Sequence, residues 1–191
     1  MLFRSGIWTN AVAITNGPAA NQGTYVGTVR SDGSSQLNWN PIPAGASGGS
    51  SPIIGVYNSY NREIITALNN DTNSWSYGTA SWRATDNSTS NRISYIDGLG
   101  TISPNINLVI RSQTSDTAKI YYSAVNLNST SNTPTFIQNY SVYQNTTTSG
   151  VGVGVLGILP SLGFNYLQSM EYASGSGPYF GNLMLTAALN M

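Results

Sequence analysis

The chain reads as an all-β protein: an antiparallel β-sandwich of jelly-roll type with extended loop or arm segments. Three observations predict it. Short runs rich in Val, Ile, Thr and Tyr recur about every 8–14 residues, separated by Gly, Asn, Ser and Pro. Several of these runs alternate apolar and polar residues, the period of a strand with one buried face. Charged residues make up only 7% of the 191-residue chain, against about 25% in ordinary globular domains, so few positions carry the Lys/Glu patterning of surface helices. The length suits one domain, residues 1–191, with a substantial core.

Strands are expected near 7–15, 23–30, 62–69, 74–84, 91–98, 105–113, 118–127, 135–143, 150–158, 162–172 and 181–190. The first two are Val/Thr/Ile-rich runs bounded by Asn-Gly and Asp-Gly. Residues 40–55, NPIPAGASGGSSPIIG, hold three prolines and four glycines. That composition forbids a regular ladder and predicts a flexible insertion or a laid-down arm. Residues 56–69, VYNSYNREIITALN, also fit helical spacing through Tyr57, Asn61, Ile64 and Leu68, so a short helix before a strand is an alternative there. The clearest hairpin is INLVIRSQ-TSDT-AKIYYSAVNL. Ile106, Leu108 and Ile110 share one face of its first arm, and the Ser and Asp of TSDT hydrogen-bond their own backbone. About ten short strands in one domain point to a sandwich or jelly roll.

Composition then restricts function. Seven basic and seven acidic residues cancel. Nucleic acid and anionic membrane are therefore not expected partners, since neither is held without a Lys/Arg surplus. No apolar span is long and unbroken enough for a membrane helix; the nearest, GVGVGVLGILPSLGFNYL, is interrupted by glycines, Pro160 and Asn165. The chain has no cysteine and no histidine. It thus lacks disulfides, thiolate metal ligands, the commonest general base and the commonest pH switch. Solubility must come from neutral groups: Asn, Ser and Thr are about a third of the residues. Such a surface is common outside the cytoplasm and costs less to desolvate in protein contacts than a charged one. The N-terminal residues MLFRSGIWTNAVAITNG do not read as a secretory signal. A virion protein made in the host cytosol and released by lysis reconciles these facts. A leaderless or processed surface-layer or adhesin module is the rival.

Each candidate for chemistry has a plainer reading. GVGVGVLG contains G-x-G-x-x-G at Gly152, Gly154 and Gly157, but Leu159-Pro160 follow where a dinucleotide site needs a helix. Alternating Gly and Val instead predicts a strand with one bare face, suited to a subunit interface or a tight sheet-on-sheet contact. Gly152 and Gly154 are interface candidates on that ground. Asp32, Asp71, Asp86 and Asp116 lie in turn-like contexts, where Asp makes Asx-turns; only Glu63 and Glu171 sit in strand-like runs. A glycosidase needs two carboxylates facing each other across a bond, so no catalytic residue, metal site or cofactor is assigned and the chain is expected not to be an enzyme. The five N-x-S/T sequons, from Asn70 to Asn145, are as many as the composition alone provides. In NSWSYGTASWRATDNSTSNR, residues 73–92, strand parity puts Trp75 and Trp82 on opposite faces. The expectation is that one fills the core while the other, with Arg83, faces a neighbouring segment or subunit. Arg83 is free to stack on a ring or pair with a carboxylate such as Asp86.

The order of motifs GTYVGTVRSDGSSQLNW, IGVYNSYNRE, SWSYGTASWRATDNSTSNRISYIDGL and LGFNYLQSMEYASGSGPYFG resembles small β-rich structural proteins of tailed bacteriophages. The resemblance spans most of the chain. It implies a shared fold and a virion context, and no catalytic residues. The Pro/Gly-rich 40–55 segment departs from the pattern and puts the exact site in the particle in doubt. By analogy of fold, size and composition, the resemblance implies a capsid cement or decoration protein, a homotrimer bridging subunits of the major capsid protein. The alternatives are a tail fibre, adaptor or receptor-binding component, and a cellular surface-layer or adhesin module.

Overall fold

The computed structural model describes residues 2–4, 7–113, 119–134, 136–143, 147–155, 160–174 and 179–191. Its described strands are β1 (Leu2–Arg4), β2 (Ile7–Thr9), β3 (Gly27–Val29), β4 (Trp39–Asn40), β5 (Ile53–Ile54), β6 (Val56–Asn58), β7 (Ile64–Ser76), β8 (Arg83–Ala84), β9 (Arg92–Asp97), β10 (Asn105–Gln113), β11 (Lys119–Leu127), β12 (Phe136–Tyr143), β13 (Thr147–Val155), β14 (Gly163–Ala173) and β15 (Tyr179–Asn190). A single 3₁₀ turn lies at Thr85–Asn87. Residues 56–69 form no helix: after β6, the Asn58 carboxamide oxygen accepts the backbone N–H groups of Tyr60 and Asn61 and turns the chain into β7.

Two sheets make the sandwich. One runs β13-β10-β15-β7; the other runs β12-β11-β14-β9-β5-β4, with β8 also paired to β14. Take the eight strands β7, β9, β10, β11, β12, β13, β14 and β15 in chain order. The first sheet holds the sixth, third, eighth and first; the second holds the fifth, fourth, seventh and second. Those two four-stranded antiparallel sets, in that order, are the two sheets of a jelly roll; β5 adds to the second in parallel with β9. Inward residues of both sheets fill the core: Ile106, Leu108, Leu185 and Leu189 from one, Ile93, Tyr95, Val125 and Leu167 from the other.

This topology corrects the expected hairpin at 105–127. β10 pairs with β13 and β15, whereas β11 pairs with β12 and β14, so its two arms belong to opposite sheets. The turn residues TSDT lie outside the described residues. The physical reason is burial. Ile106 and Leu108 on one arm and Tyr121 and Val125 on the other are all buried, and placing the arms in facing sheets lets both apolar faces meet across the core.

Two local devices set the register. Asn182 has φ of 51°, and the pairing of β15 with β7 shifts between Gly181 and Leu183. The bulge changes which face alternate residues meet, so Phe180 and Leu183 both point inward although they are three apart. The free edge of β7 is covered by the Pro/Gly-rich segment. Leu68 donates to the Pro41 carbonyl, Ala46 to that of Asn70, and Thr72 to that of Ala46. Residues 41–46 are therefore laid down along an edge that would otherwise offer open backbone groups, whereas Asn40 and Ile53–Ile54 of the same segment join the β4–β5 ladder of the other sheet, against the expectation that its composition forbids one.

β7 also corrects the expected break between 62–69 and 74–84. It is one strand of 13 residues through Asn69, Asn70, Asp71, Thr72 and Asn73. The buried Asn69 and Asp71 stay in the ladder because the Asn69 carboxamide nitrogen and the Asp71 carboxylate find partners. Asp71, fully buried, accepts the backbone N–H groups of Gly48 and Asn73 at 2.9 Å and the Asn91 carboxamide at 2.7 Å. Asn69 donates to the carbonyls of Ser90 and Arg92. Asp71 is thus the hub of a buried network, where the sequence suggested a turn residue.

Candidate functional site

The two tryptophans of the 73–92 run frame the candidate site. Trp75 lies on the inner face of β7, directly across from Phe180 of β15. The two rings stack at 5.8 Å with 12° between planes, and Tyr121 meets Phe180 edge-on. The Trp75 indole N–H donates to Glu171 Oε2 at 2.6 Å. Glu171 is fully buried on β14. Arg83, whose backbone pairs with Glu171 through β8, donates from Nε to Oε1 at 2.7 Å. The Arg83 guanidinium also stands 3.8 Å from the centre of the Tyr77 ring. Glu171, Trp75 and Arg83 thus tie one sheet to the other through a single carboxylate.

The electrostatics of Glu171 follow from that setting. Burial pushes its carboxyl up, to about 7, by penalising the charged form; the Trp75 indole, the Arg83 guanidinium and the Asp86 backbone N–H pull the other way. All three groups facing the carboxylate are donors, so hydrogen bonding favours the ionised form that desolvation opposes.

Trp82 points to the opposite side. It packs on the outer face of the second sheet, 5.5 Å from the Tyr172 ring and 6.0 Å from the Tyr122 ring, with Tyr122 and Tyr172 directly paired across β11 and β14. Two further aromatic residues of β14, Phe164 and Tyr166, sit under Arg30 at 3.8 Å and Arg92 at 5.0 Å. The opposed placement of Trp75 and Trp82 agrees with the sequence reading, but its cause does not. No continuous strand spans 74–84: β7 ends at Ser76, the chain turns at Tyr77–Ser81, where the Tyr77 hydroxyl donates to the Ser81 carbonyl, and β8 joins the other sheet. Arg83 both stacks on a ring and pairs with a carboxylate, as expected of it, but the carboxylate is Glu171 and not Asp86. Arg83 faces inward to Glu171, away from Trp82, while the Asp86 carboxylate accepts the Asn73 carboxamide.

Gly152 and Gly154 lie on β13, opposite Leu108 and Ile106 of β10. Directly paired residues of an antiparallel ladder share a face, and Leu108 and Ile106 are buried. Gly157 lies outside the described residues.

The remaining carboxylates serve the backbone. Asp97, fully buried at the end of β9, accepts the N–H groups of Leu99, Gly100 and Ile102 at 2.7–2.9 Å. Asp32 accepts those of Ser34 and Gln36. Asp116 lies outside the described residues. Glu63 is exposed and lines a groove with Trp39, Val56 and Met191, so it shares no hydrogen bond or hollow with Glu171 among the described residues. Among the described residues no group of three or more carboxylates stands ready to hold a metal ion. Sequence reasoning missed the Trp75–Glu171–Arg83 centre, whose members lie 96 and 88 residues apart. The nearest signal was that Glu171 is an acid within a strand-like run.

No family model and no curated protein matches the chain. Among solved structures, the chain is similar to the infectious bursal disease virus Gx strain structure, with a TM-score of 0.44 and 17% identity over 91% of this chain and 40% of that one. It is also similar to dimeric latent PorU from Porphyromonas gingivalis, with a TM-score of 0.42 and 9% identity over 78% of this chain and 14% of the other. The infectious bursal disease virus Gt strain structure gives a TM-score of 0.40 at 15% identity, over 81% of this chain and 43% of that one. The chain therefore spans less than half the length of each of these structures.

Proposed function

We propose that the chain is a non-enzymatic structural protein of a tailed-phage virion: a capsid cement or decoration protein that forms a homotrimer and bridges subunits of the major capsid protein. The observation that carries this reading is the use the fold makes of its few acids. Asp71, Asp97 and Glu171 are each fully buried, and their oxygens accept donors that join strands, turns and the two sheets. What the molecule offers to the outside is a nearly uncharged jelly roll whose surface is rich in amides, hydroxyls and apolar side chains. Weak neutral contacts repeated over a symmetric shell give avidity without strong individual binding. The tailed-phage assignment itself rests on the motif resemblance. Reconstruction of intact particles tests it: the chain is expected on the capsid lattice, and its absence from the particle would overturn the proposal.

One observation favours a tail component as a second reading. The Trp82, Tyr122 and Tyr172 cluster on the outer sheet face is the kind of aromatic surface that contacts sugars. Its rings are inclined to one another by 38–61°, which makes a poor flat platform. Binding on a glycan array that Trp82→Ala abolishes would support the tail reading; no binding removes it.

A further inference from the structure

From Trp8 to Ser51 no residue is buried. Yet Val12, Ile14, Val26, Val29, Leu37 and Trp39 in that segment are between 44% and 73% exposed. The backbone beneath them is pinned. The Asn10 carboxamide bridges to Val12, Ala19 and Gly23, and β3 pairs with β6. A Cβ at Gly27 would come within 2.2 Å of the Tyr57 carbonyl, so only glycine lets β3 lie this close. The layer thus presents a fixed apolar surface.

Three hollows cross this layer and adjoin one another. The first, about 260 Å³, shares Val26 and Gly27 with the second, about 340 Å³, and the second shares Val56 and Asn58 with the third, about 210 Å³. Side by side they make a row of hollows, a segmented groove from Ile14 past Val29 to Trp39. With Ile42 and Tyr60 added, the exposed apolar side chains of the layer together leave on the order of 800 Å² in water, about the area one partner gives to a standard stable interface. The segment's charged side chains are Arg30 and Asp32. Arg30 lies over the Phe164 ring and Asp32 closes its own turn. Glu63 at the Trp39 end is the one charged side chain that lines the three hollows, so the rest of the surface selects an apolar partner rather than a charged one.

We infer that this N-terminal layer is a self-association face whose groove takes a second copy of this chain. The inference deepens the homo-oligomer part of the proposed function and rests on it. The test is sedimentation equilibrium and native mass spectrometry on the full chain, on the double variant Val26→Glu/Val29→Glu, and on Met184→Glu as a control. Met184 is 41% exposed on β15, away from the groove. The wild type is expected to associate. The double variant should dissociate with a constant raised roughly 100-fold or more, because each contact then buries an unpaired carboxylate. Met184→Glu should associate like the wild type. Circular dichroism should be unchanged, since Val26 and Val29 are 66% and 69% exposed. A wild type monomeric at every concentration, or a double variant that associates as tightly, overturns the inference. Should the double variant misfold, hydrogen exchange on the wild type decides: amides of 24–29 are expected to gain protection as concentration rises, and unchanged protection overturns the inference. A chain that self-associates through this face but is missing from particles would sink the virion reading alone, and a monomer found on the capsid would sink this inference alone.

Discussion

Arg83→Ala should destabilise the fold in a pH-dependent way, because it leaves the buried Glu171 carboxylate without its cation. In the native protein Glu171 is fully buried and held by Arg83 at 2.7 Å and Trp75 at 2.6 Å. Removing one member of a buried ion pair costs about 3–5 kcal/mol. The Arg83 side chain is 28% exposed, so water screens part of the pair and the low end, about 3 kcal/mol, is expected where Glu171 is ionised. The sign with pH follows from linkage. Burial pushes Glu171 up to about 7 in the folded protein from the ordinary 4.5 of a glutamate, so between those values the folded state holds the proton that the unfolded state has released. Glu171's contribution to wild-type stability is therefore greatest below pH 4.5 and falls by about 3 kcal/mol as pH rises to 7. Loss of Arg83 raises the folded value further and carries that fall above pH 7. The deficit of Arg83→Ala should thus be about 3 kcal/mol near pH 8.5. Near pH 5.5, where a proton has neutralised Glu171, about 1 kcal/mol remains for the lost contact with Tyr77. Urea unfolding at both pH values measures it, with Glu171→Gln as the control that removes Glu171's share of the pH dependence. A deficit equal at both pH values, or below about 1 kcal/mol near pH 8.5, would refute the reasoning.

Other positions give equally definite outcomes. Asp71→Ala strands two backbone N–H groups and the Asn91 carboxamide in the interior and should cost at least about 3 kcal/mol by chemical denaturation. Asp97→Ala strands the N–H groups of Leu99, Gly100 and Ile102; a loss of about 2–4 kcal/mol is expected, with Asp97→Asn recovering part of it. Trp75→Ala should cost about 3–5 kcal/mol and Trp82→Ala no more than about 2, because Trp75 fills the core whereas Trp82 caps an outer face. Thermal unfolding of the pair checks that order, and equal losses would show that both rings are core.

The strands from β9 to β15 were legible because each carries a local signal: alternation in 105–113, aromatic and β-branched residues in 119–127, Gly/Val alternation in 147–155. Their number and type pointed to a jelly roll, which the strand order bears out. Pairing between distant strands was not legible. The chain at 105–127 looks like a hairpin locally, and only the need to bury both arms' apolar faces sends them to different sheets. Strand β7 was hidden for the opposite reason. Asn69, Asn70 and Asp71 read as a break, yet loop 46–50 and residues 90–92 supply partners that let them stay in the ladder. The same holds for the site. Strand parity separated Trp75 from Trp82, but Arg83 finds Glu171, 88 residues away, and no local pattern announces a contact of that span.

The most direct test of the proposed virion assignment is a cryo-EM reconstruction of intact virus particles whose genome carries this sequence. The account predicts density for the jelly roll on the outside of the capsid, repeating with the lattice in clusters of three that straddle neighbouring capsid subunits. Density only at the tail, or none on the particle, would contradict it.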